Sequence, residues 1–292
     1  MHVKVWRTYS FKGRLRGRER ECNLLSMTPD SPSDPPLQQL DLPSGPVGWT
    51  DEGTGSPVVA LHGLPGSVRD FRWLGAALPE GIRLIRIDQA GFGSTPLSTW
   101  PGATLPARAD FICAVLDHLG LGPVVLIGHS MGGAVAAAVA SRRPDLVRGL
   151  GLICSIGITP HRGMRQWPVP PWVISVFLRF RPVRTALMVR LSRAFEASGF
   201  KGHGEPAIVQ TVHCVAWTSM ALHERHLRGL ERPTMVVWTR DDPLIEQAIS
   251  EKLYWICPVG PRVVFDTGGH NPQKTRATEL AESLASWLDL LP

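Results

Sequence analysis

A serine, an aspartate and a histidine, each in a turn-forming motif, follow one another along the chain. Ser130 lies in GHSMGG (128–133), Asp242 in TRDDPLI and His270 in DTGGHN. A serine hydroxyl is a weak nucleophile at neutral pH, so it needs a base that accepts its proton and an acid that orients that base. The order along the chain predicts Ser130 as the nucleophile, His270 as the base and Asp242 as the orienting carboxylate.

The segment around Ser130 has the pattern G-x-S-x-G between an apolar run (123–127) and a helical pattern (131–142). In a sharp turn from strand to helix, Gly128 and Gly132 avoid a collision across the turn, and the serine hydroxyl is held clear of the sheet. The start of the helix also favours negative charge that develops at Ser130. This context predicts a nucleophile elbow.

The carboxylate has two candidates, because Asp241 and Asp242 are adjacent. Both follow the apolar run 234–238, and His270 follows the run 262–265, so strand ends at one edge of a sheet would bring them to Ser130. We favour Asp242, since the Pro-Leu-Ile sequence after it places it where the loop turns back toward a helix. Asp241 would then be a solvated neighbour.

Acyl transfer also needs backbone N–H groups that stabilise the negative oxygen of the tetrahedral intermediate. We expect one from Met131, directly after the nucleophile, and one from Leu64 in the loop HGLPGS (62–67). His62 in that loop is an alternative base, but its place directly after a strand favours a role in holding the loop. Asp88 likewise ends a strand, and we expect it to anchor a turn.

Short apolar runs alternate with helical patterns from residue 46 onward, and several runs are apolar on both faces. This pattern is typical of a parallel sheet with helices on each side, so we predict an α/β fold with a mostly parallel, doubly covered sheet. The predicted helices lie at 104–119, 131–142 and 272–289. The predicted strands are 57–61, 82–87, 123–127, 150–156, 234–238 and 262–265.

The chain divides into three kinds of segment. Residues 1–45 form a basic, Pro-rich tail that we expect to be disordered. The segments 46–156 and 227–292 form the α/β core, and residues 157–226 are predicted as a helical insertion over one end of the sheet. Part of this insertion, 181–193, is basic and amphipathic, which suits a solvated helix face better than a membrane surface, although the second remains an alternative.

Five motifs together resemble the α/β-hydrolase fold superfamily, in the branch with a helical cap domain. The resemblance covers about residues 46–290, and it implies a Ser130–Asp242–His270 triad, no metal and no organic cofactor, and a cap (157–226) that shapes the substrate pocket. The candidate pocket residues are Trp167, Trp172, Phe177 and Trp217, together with His129, which is expected to pack beneath the elbow or to line its floor. The motifs are HGLPGS (62–67), DQAGFGST (88–95), GHSMGG (128–133), WTRDDPLI (238–245) and GGH (268–270).

Departures from subfamily patterns narrow the reaction. Epoxide hydrolases and haloalkane dehalogenases of this fold have an aspartate at the elbow, where this chain has Ser130. Carbon–carbon bond hydrolases that resemble this branch have Trp after the catalytic histidine, where this chain has Asn271. We therefore expect a serine hydrolase that cleaves small to medium hydrophobic esters, lipid esters or thioesters. Carbon–carbon hydrolysis, acyl transfer and a non-catalytic ligand-binding scaffold remain alternatives.

Composition limits the class of protein. The chain has 292 residues, of which 43% are hydrophobic, and a net charge of +6. Residues 1–26 contribute +5 of that charge. Because so little positive charge remains for the folded body, nucleic acid is not expected as its partner. The pattern predicts no signal peptide, no stable membrane insertion and a cytoplasmic location, and it leaves the oligomeric state open. Five scattered cysteines without metal-ligand spacing fit a reducing compartment, and Cys113, Cys154 and Cys257 are expected in the core.

Overall fold

The structure is a computed structural model that describes residues 9–10, 32–197 and 199–291. Nine strands form one sheet in the order β1-β9-β8-β7-β6-β4-β5-β3-β2. Among the described strands, the pairs β2–β3 and β3–β5 are antiparallel and the other pairs are parallel. The strands are β1 Tyr9–Ser10, β2 Gln38–Leu42, β3 Gly45–Glu52, β4 Ser56–Leu61, β5 Ile82–Ile87, β6 Val124–His129, β7 Val147–Ile153, β8 Thr234–Thr239 and β9 Arg262–Phe265.

Helices cover both faces of the sheet, which confirms the predicted α/β class. Two apolar cores lie on opposite faces: one contains side chains of α2, α3 and α9, and the other contains side chains of α1 and α11. The helices are α1 Arg72–Ala77, α2 Leu105–Leu119, α3 Met131–Arg142, α4 Arg162–Arg165, α5 Pro171–Phe177, α6 Arg181–Ala197, α7 Glu205–Ala216, α8 Met220–Arg228, α9 Gln247–Ile256, α10 Pro272–Thr275 and α11 Ala277–Leu288.

Successive residues of a central strand serve the two cores in turn. In β4, Val59 and Leu61 pack in the core of α2 and α3, whereas Val58 and Ala60 pack in the core of α1 and α11. This follows from the period of two in a strand, and it explains why the run is apolar at every position. A strand that is buried on both faces is a rigid platform for the loop that follows it.

The predicted start of the core at residue 46 is too late. Strand β2 pairs with β3 from Gln38 to Leu42, and Asp34 forms ion pairs with Arg69 and Arg86. Residues 32–45 therefore belong to the fold rather than to a disordered tail. Residues 9–10 pair with β9. The other residues of the predicted tail, 1–8 and 11–31, lie outside the described part of the chain.

Arg86 of β5 is a fully buried cation. Its Nη1 donates to Asp34 Oδ1 at 3.2 Å and to the carbonyl oxygen of Val68 at 3.0 Å, and its Nη2 lies 2.5 Å from Glu52 Oε1. Burial raises the pKa of Glu52, against the opposing effect of the Arg86 charge. Removal of one partner from such a cluster leaves uncompensated buried charge.

Among the described residues between β7 and β8, five stretches are helical, α4 to α8. We call residues 157–226 the helical insertion; its status as a separate cap domain stays a prediction. Helix α8 is tied to the sheet because His223 Nε2 donates to the carbonyl oxygen of Ile156 at 3.2 Å. Within the described ranges, none of the helices is both long and apolar enough to cross a bilayer.

The Arg86 cluster predicts a large loss of stability for Arg86→Ala. We expect the free energy of unfolding to fall by about 3–5 kcal/mol, because Asp34 and Glu52 would stay partly buried without their cation. Arg83→Ala, on the same strand, is the matched control. Arg83 pairs with Asp51 at 2.6 Å in a partly exposed position, and its loss is expected to cost about 1 kcal/mol or less. Urea denaturation measures the free energy of unfolding of both variants. Equal losses would contradict the larger contribution that we assign to the buried Arg86 cluster.

Buried His223 predicts that stability falls at acid pH. Burial lowers the pKa of His223 from 6.5 to about 4, so between those values the unfolded chain binds more protons than the folded one, and stability decreases as pH falls. His223→Gln keeps a donor for Ile156 and is expected to make this fall shallower by about 1 kcal/mol per pH unit.

The control for that slope is His118→Gln, because His118 on α2 is exposed to solvent. Urea unfolding at a series of pH values from neutral to mildly acidic measures the slope for the wild type and both variants. A slope that His223→Gln leaves unchanged would show that other groups set the acid sensitivity.

Candidate active site

The turn between β6 and α3 has the geometry of a nucleophile elbow. Ser130 has φ 53° and ψ −121°, a left-handed backbone conformation that a residue other than glycine rarely adopts. A Cβ on Gly128 would lie 2.4 Å from the carbonyl oxygen of Gly132, and a Cβ on Gly132 would lie 2.4 Å from the carbonyl oxygens of Leu61 and His62. Only glycine fits at these two positions, as the motif predicts.

The structure brings Ser130, His270 and Asp242 together in one hydrogen-bonded series. Ser130 Oγ lies 3.0 Å from His270 Nε2, and His270 Nδ1 lies 2.8 Å from Asp242 Oδ2. Since the carboxylate can only accept, Nδ1 carries the proton and Nε2 is left to accept the serine proton. His270 and Asp242 are buried, and this arrangement can raise the nucleophilicity of the serine hydroxyl.

Asp242 is oriented by its own loop. Its Oδ1 accepts hydrogen bonds from the backbone N–H groups of Leu244 at 2.8 Å and Ile245 at 2.9 Å, which leaves Oδ2 for His270. Burial opposes ionisation, but the hydrogen bonds from His270 and from the two backbone groups outweigh it and lower the pKa of Asp242. The carboxyl group is therefore charged at neutral pH.

Asp241 has a different place. Its carboxylate accepts from the backbone N–H groups of Gly268 at 3.1 Å and Gly269 at 2.8 Å, in the loop that carries His270. Thr239 supports the same loop, since its hydroxyl donates to the carbonyl oxygen of Gly269 at 2.6 Å. Asp241 was expected to be a solvated neighbour; it is exposed, yet it also braces the histidine loop, a role that no sequence motif indicated.

His129 lies beneath the site. Its Nε2 donates to the backbone carbonyl oxygen of His270 at 2.7 Å, and the two imidazole ring centroids are 4.8 Å apart. Burial and repulsion from the charge of His270 lower the pKa of His129 to about 3, so it stays neutral. It is not part of the cavity wall, which corrects its placement among the pocket residues.

The loop after β4 approaches the elbow closely enough to supply an oxyanion donor. A Cβ on Gly63 would lie 3.1 Å from Cβ of Ser130, and both Leu64 and Met131 line the same cavity as Ser130. Both ring nitrogens of His62 are engaged: Nδ1 donates to the carbonyl oxygen of Gly63 at 2.7 Å, and Nε2 accepts from the backbone N–H of Gln89 at 3.0 Å. His62 is thus bound into the loop.

Asp88 anchors the neighbouring turn, as its position after a strand indicated. Its Oδ1 accepts from the backbone N–H of Val68 at 2.7 Å, and its Oδ2 accepts from the backbone N–H of Ser94 at 2.8 Å. Both carboxylate oxygens are used in this way, so Asp88 stabilises two loops at the edge of the site.

A mostly apolar cavity of about 730 Å³ extends from Ser130 and His270 into the helical insertion. Trp167 and Phe177 lie in its wall, as expected. Trp172 and Trp217 do not, and their placement in the pocket is corrected: both are solvent-exposed, and the indole N–H of Trp217 donates to Ser175 Oγ at 3.2 Å. The wall also contains residues that no motif indicated, among them His161, Val173, Arg190 and Val215.

Cys154 lies beside the triad. Its thiol, Asp242 and His270 each place a potential metal-ligand atom within 4.8 Å of the others. Burial raises the pKa of Cys154 well above its ordinary value, so the thiol keeps its proton, whereas a metal ligand must be a thiolate. The donor set therefore fits a metal poorly, whereas Asp242 and His270 are hydrogen-bonded to each other and His270 to Ser130.

Comparison with known proteins agrees with this geometry. A family model described as alpha/beta hydrolase fold matches residues 56–176. A solved structure of a thermophilic esterase from Thermogutta terrifontis superposes with a TM-score of 0.67 at 23% identity, over 87% of this chain and 98% of that one. The chain has the α/β-hydrolase fold, and the fold implied by its motifs is confirmed.

Two curated relatives match different shares of this chain. The dihydrolipoyllysine-residue acetyltransferase component of an acetoin cleaving system from Pseudomonas putida is 25% identical over 89% of this chain and 71% of its own length. An sn-1-specific diacylglycerol lipase from Mus musculus is 40% identical, but over only 35% of this chain and 34% of its own length.

Asp242 contacts His270 directly, whereas Asp241 contacts only the loop before it, so we expect their substitutions to change the reactivity of Ser130 by different amounts. Asp242→Asn is expected to slow covalent labelling of Ser130 by a fluorophosphonate about 10³-fold or more, because the amide would favour the wrong tautomer of His270. Asp241→Asn, the matched control, is expected to slow labelling by less than about tenfold, the cost of one weakened hydrogen bond. A larger effect of Asp241→Asn would reverse the assignment.

Proposed function

We propose that the protein is a serine hydrolase that cleaves carboxylic esters of small to medium apolar acyl groups through an acyl-enzyme on Ser130. The observation that carries this proposal is the series Ser130 Oγ, His270 Nε2, His270 Nδ1 and Asp242 Oδ2, with hydrogen-bond distances of 3.0 and 2.8 Å. Hydrolysis as the class of reaction is supported by the likeness to an esterase and a lipase.

In the first step, Ser130 Oγ attacks the ester carbonyl carbon and His270 Nε2 accepts the hydroxyl proton. Asp242 stabilises the imidazolium that forms, and its two backbone donors hold it in place. Collapse of the tetrahedral intermediate breaks the bond to the alcohol oxygen, which takes the proton from Nε2. Water then attacks the acyl-enzyme with His270 again as the base, and the acid and free Ser130 are released.

The negative oxygen of each intermediate needs donors that are already in place. We assign these to the backbone N–H groups of Leu64 and Met131, since both residues line the cavity at Ser130. Met131 begins α3, so its N–H lies in the first turn, where backbone donors have no partner within the helix. The hydrogen bonds of His62 fix the Leu64 loop against this site.

The cavity supports an apolar acyl group. Its volume of about 730 Å³ is within the usual range for small-molecule sites. Ten residues of α5, α6 and α7 lie in its wall, and eight of the ten are aliphatic or aromatic. The wall therefore favours an acyl chain that extends away from Ser130 into the helical insertion.

Acyl transfer is the second candidate. The relative that matches over 89% of this chain is an acetyltransferase component, and transfer needs only that an alcohol, amine or thiol replaces water in the second step. Product analysis with an added alcohol separates the two: a hydrolase yields mainly the free acid, whereas a transferase yields mainly the new ester.

Two single variants test the proposal. One removes the nucleophile, and the other shortens the cavity. Ser130→Ala is expected to abolish hydrolysis of p-nitrophenyl esters. Val173→Trp, in the cavity wall, is expected to lower kcat/KM for longer acyl chains by about tenfold or more while acetyl esters are spared, because the indole fills space that the chain would occupy. Steady-state kinetics over a series of acyl lengths measures both.

Val176→Trp is the matched control, one turn farther along the same helix but on the exposed side. It is expected to leave the chain-length profile unchanged. Ester hydrolysis that survives Ser130→Ala would contradict the mechanism. Folded wild-type protein that neither hydrolyses esters nor reacts with small phosphonates would favour the non-catalytic scaffold.

A further inference from the structure

The helical insertion presents an apolar stripe to solvent. Within α5, Trp172 and Val176 are about one turn apart and share one side of the helix, and Val169 and Phe180 in the flanking turns are also exposed. Trp172 is 56% exposed and Phe180 is 60% exposed. Large apolar side chains at a helical period normally face a core, yet here the core is filled by other residues, such as buried Leu178 directly after the last residue of α5.

The stripe is continuous with the active-site cavity. Val169 and Phe177 are exposed to solvent and also line the cavity that reaches Ser130 and His270. An apolar chain could therefore pass from this surface to the nucleophile along a mostly apolar wall. A patch that only faces water does not need to connect to a cavity. A surface that takes up apolar molecules from a lipid phase must connect to the cavity that receives them.

Positive charge, like the exposed apolar side chains, is concentrated in the helical insertion. Residues 157–226 carry nine arginines and lysines against three acidic residues, a net charge of +6, whereas residues 27–156 and 227–292 together carry −5. Arg179 and Arg181 flank Phe180 in the sequence, and both are exposed. Residues 27–292 together have a net charge of only +1, because the basic insertion offsets the acidic remainder of that range.

We infer that this surface docks on an anionic lipid membrane. The docking face consists of Val169, Trp172, Val176, Phe177 and Phe180 together with Arg179 and Arg181. Exposed tryptophan and phenylalanine insert at the lipid interface, and neighbouring arginines are attracted to anionic headgroups. The charge outside the insertion sums to zero, because +5 in residues 1–26 offsets −5 in residues 27–156 and 227–292. Attraction to the headgroups is therefore strongest at the insertion, which orients the cavity mouth toward the lipid.

An acidic protein surface would match the arginines equally well. The continuity of the stripe with an apolar cavity favours lipid, because a lipid phase also holds apolar esters that fit the cavity. This inference concerns location rather than chemistry, and vesicle binding tests it without any turnover.

The experiment is co-sedimentation of the full chain with vesicles of equimolar phosphatidylcholine and phosphatidylglycerol, and with vesicles of phosphatidylcholine alone. The wild type is expected to bind the anionic vesicles, and less at high salt. The double variant Trp172→Ser with Phe180→Ser is expected to bind at least tenfold more weakly, because two interfacial aromatics are lost. Arg181→Glu is expected to weaken binding to the anionic vesicles alone, by at least fivefold.

Matched controls lie on α9, which is outside the insertion in the sequence and outside the docking face. Trp255 is 80% exposed, and Lys252 is exposed on the same helix. Trp255→Ser and Lys252→Glu are expected to bind vesicles as the wild type does. Thermal unfolding and hydrolysis of a water-soluble ester establish that each variant is folded, since Trp172, Phe180 and Arg181 lie outside the cavity wall.

Absence of wild-type binding to anionic vesicles would overturn the inference and favour a protein partner. Binding that the Trp172/Phe180 and Arg181 variants leave intact would also overturn it, because another part of the chain, such as the basic residues 1–26, would then hold the vesicle. Equal weakening by the α9 controls would show a general charge or hydrophobicity effect and no docking face.

Discussion

The strained backbone of Ser130 is the constraint on which the rest of the site depends. Its left-handed conformation costs about 1–2 kcal/mol and persists only because the surroundings enforce it. The enforcement comes from β6, which is buried in the middle of the sheet, from α3, and from Gly128 and Gly132, which allow backbone to approach backbone. If that turn relaxed, the hydroxyl of Ser130 would leave His270, and the cavity would end at an inert serine.

The relay behind the serine is held by groups that do not titrate near neutral pH. His129 stays neutral and donates to the backbone of His270, while Asp241 binds the two glycine N–H groups that precede it. Asp242 stays ionised because backbone donors and His270 offset its burial. In the proposed mechanism His270 takes up a proton, and the groups that contact it keep the same charge around neutral pH.

The sequence predicts much of this arrangement, because glycines, strand ends and the order Ser, Asp, His each have a local physical cause. The N-terminal hairpin escaped prediction, since β2 begins after a Pro- and Ser-rich segment and Asp34 is held by Arg86, 52 positions away. The cavity wall was predicted only in part: Trp167 and Phe177 lie in it, but prolines at 168, 170 and 171 obscure where α5 begins, so composition could not tell that Trp172 faces solvent while Val173 faces the cavity.

The central claim is that Ser130 forms a covalent acyl intermediate, and direct detection of that intermediate tests it. The measurement is mass spectrometry of the protein quenched by acid within the first turnovers of a p-nitrophenyl ester, followed by peptide mapping. We predict one acyl group per chain, on the peptide that contains Ser130, which decays as free acid appears. Hydrolysis with no acyl adduct, or an adduct on a different residue, would contradict the account.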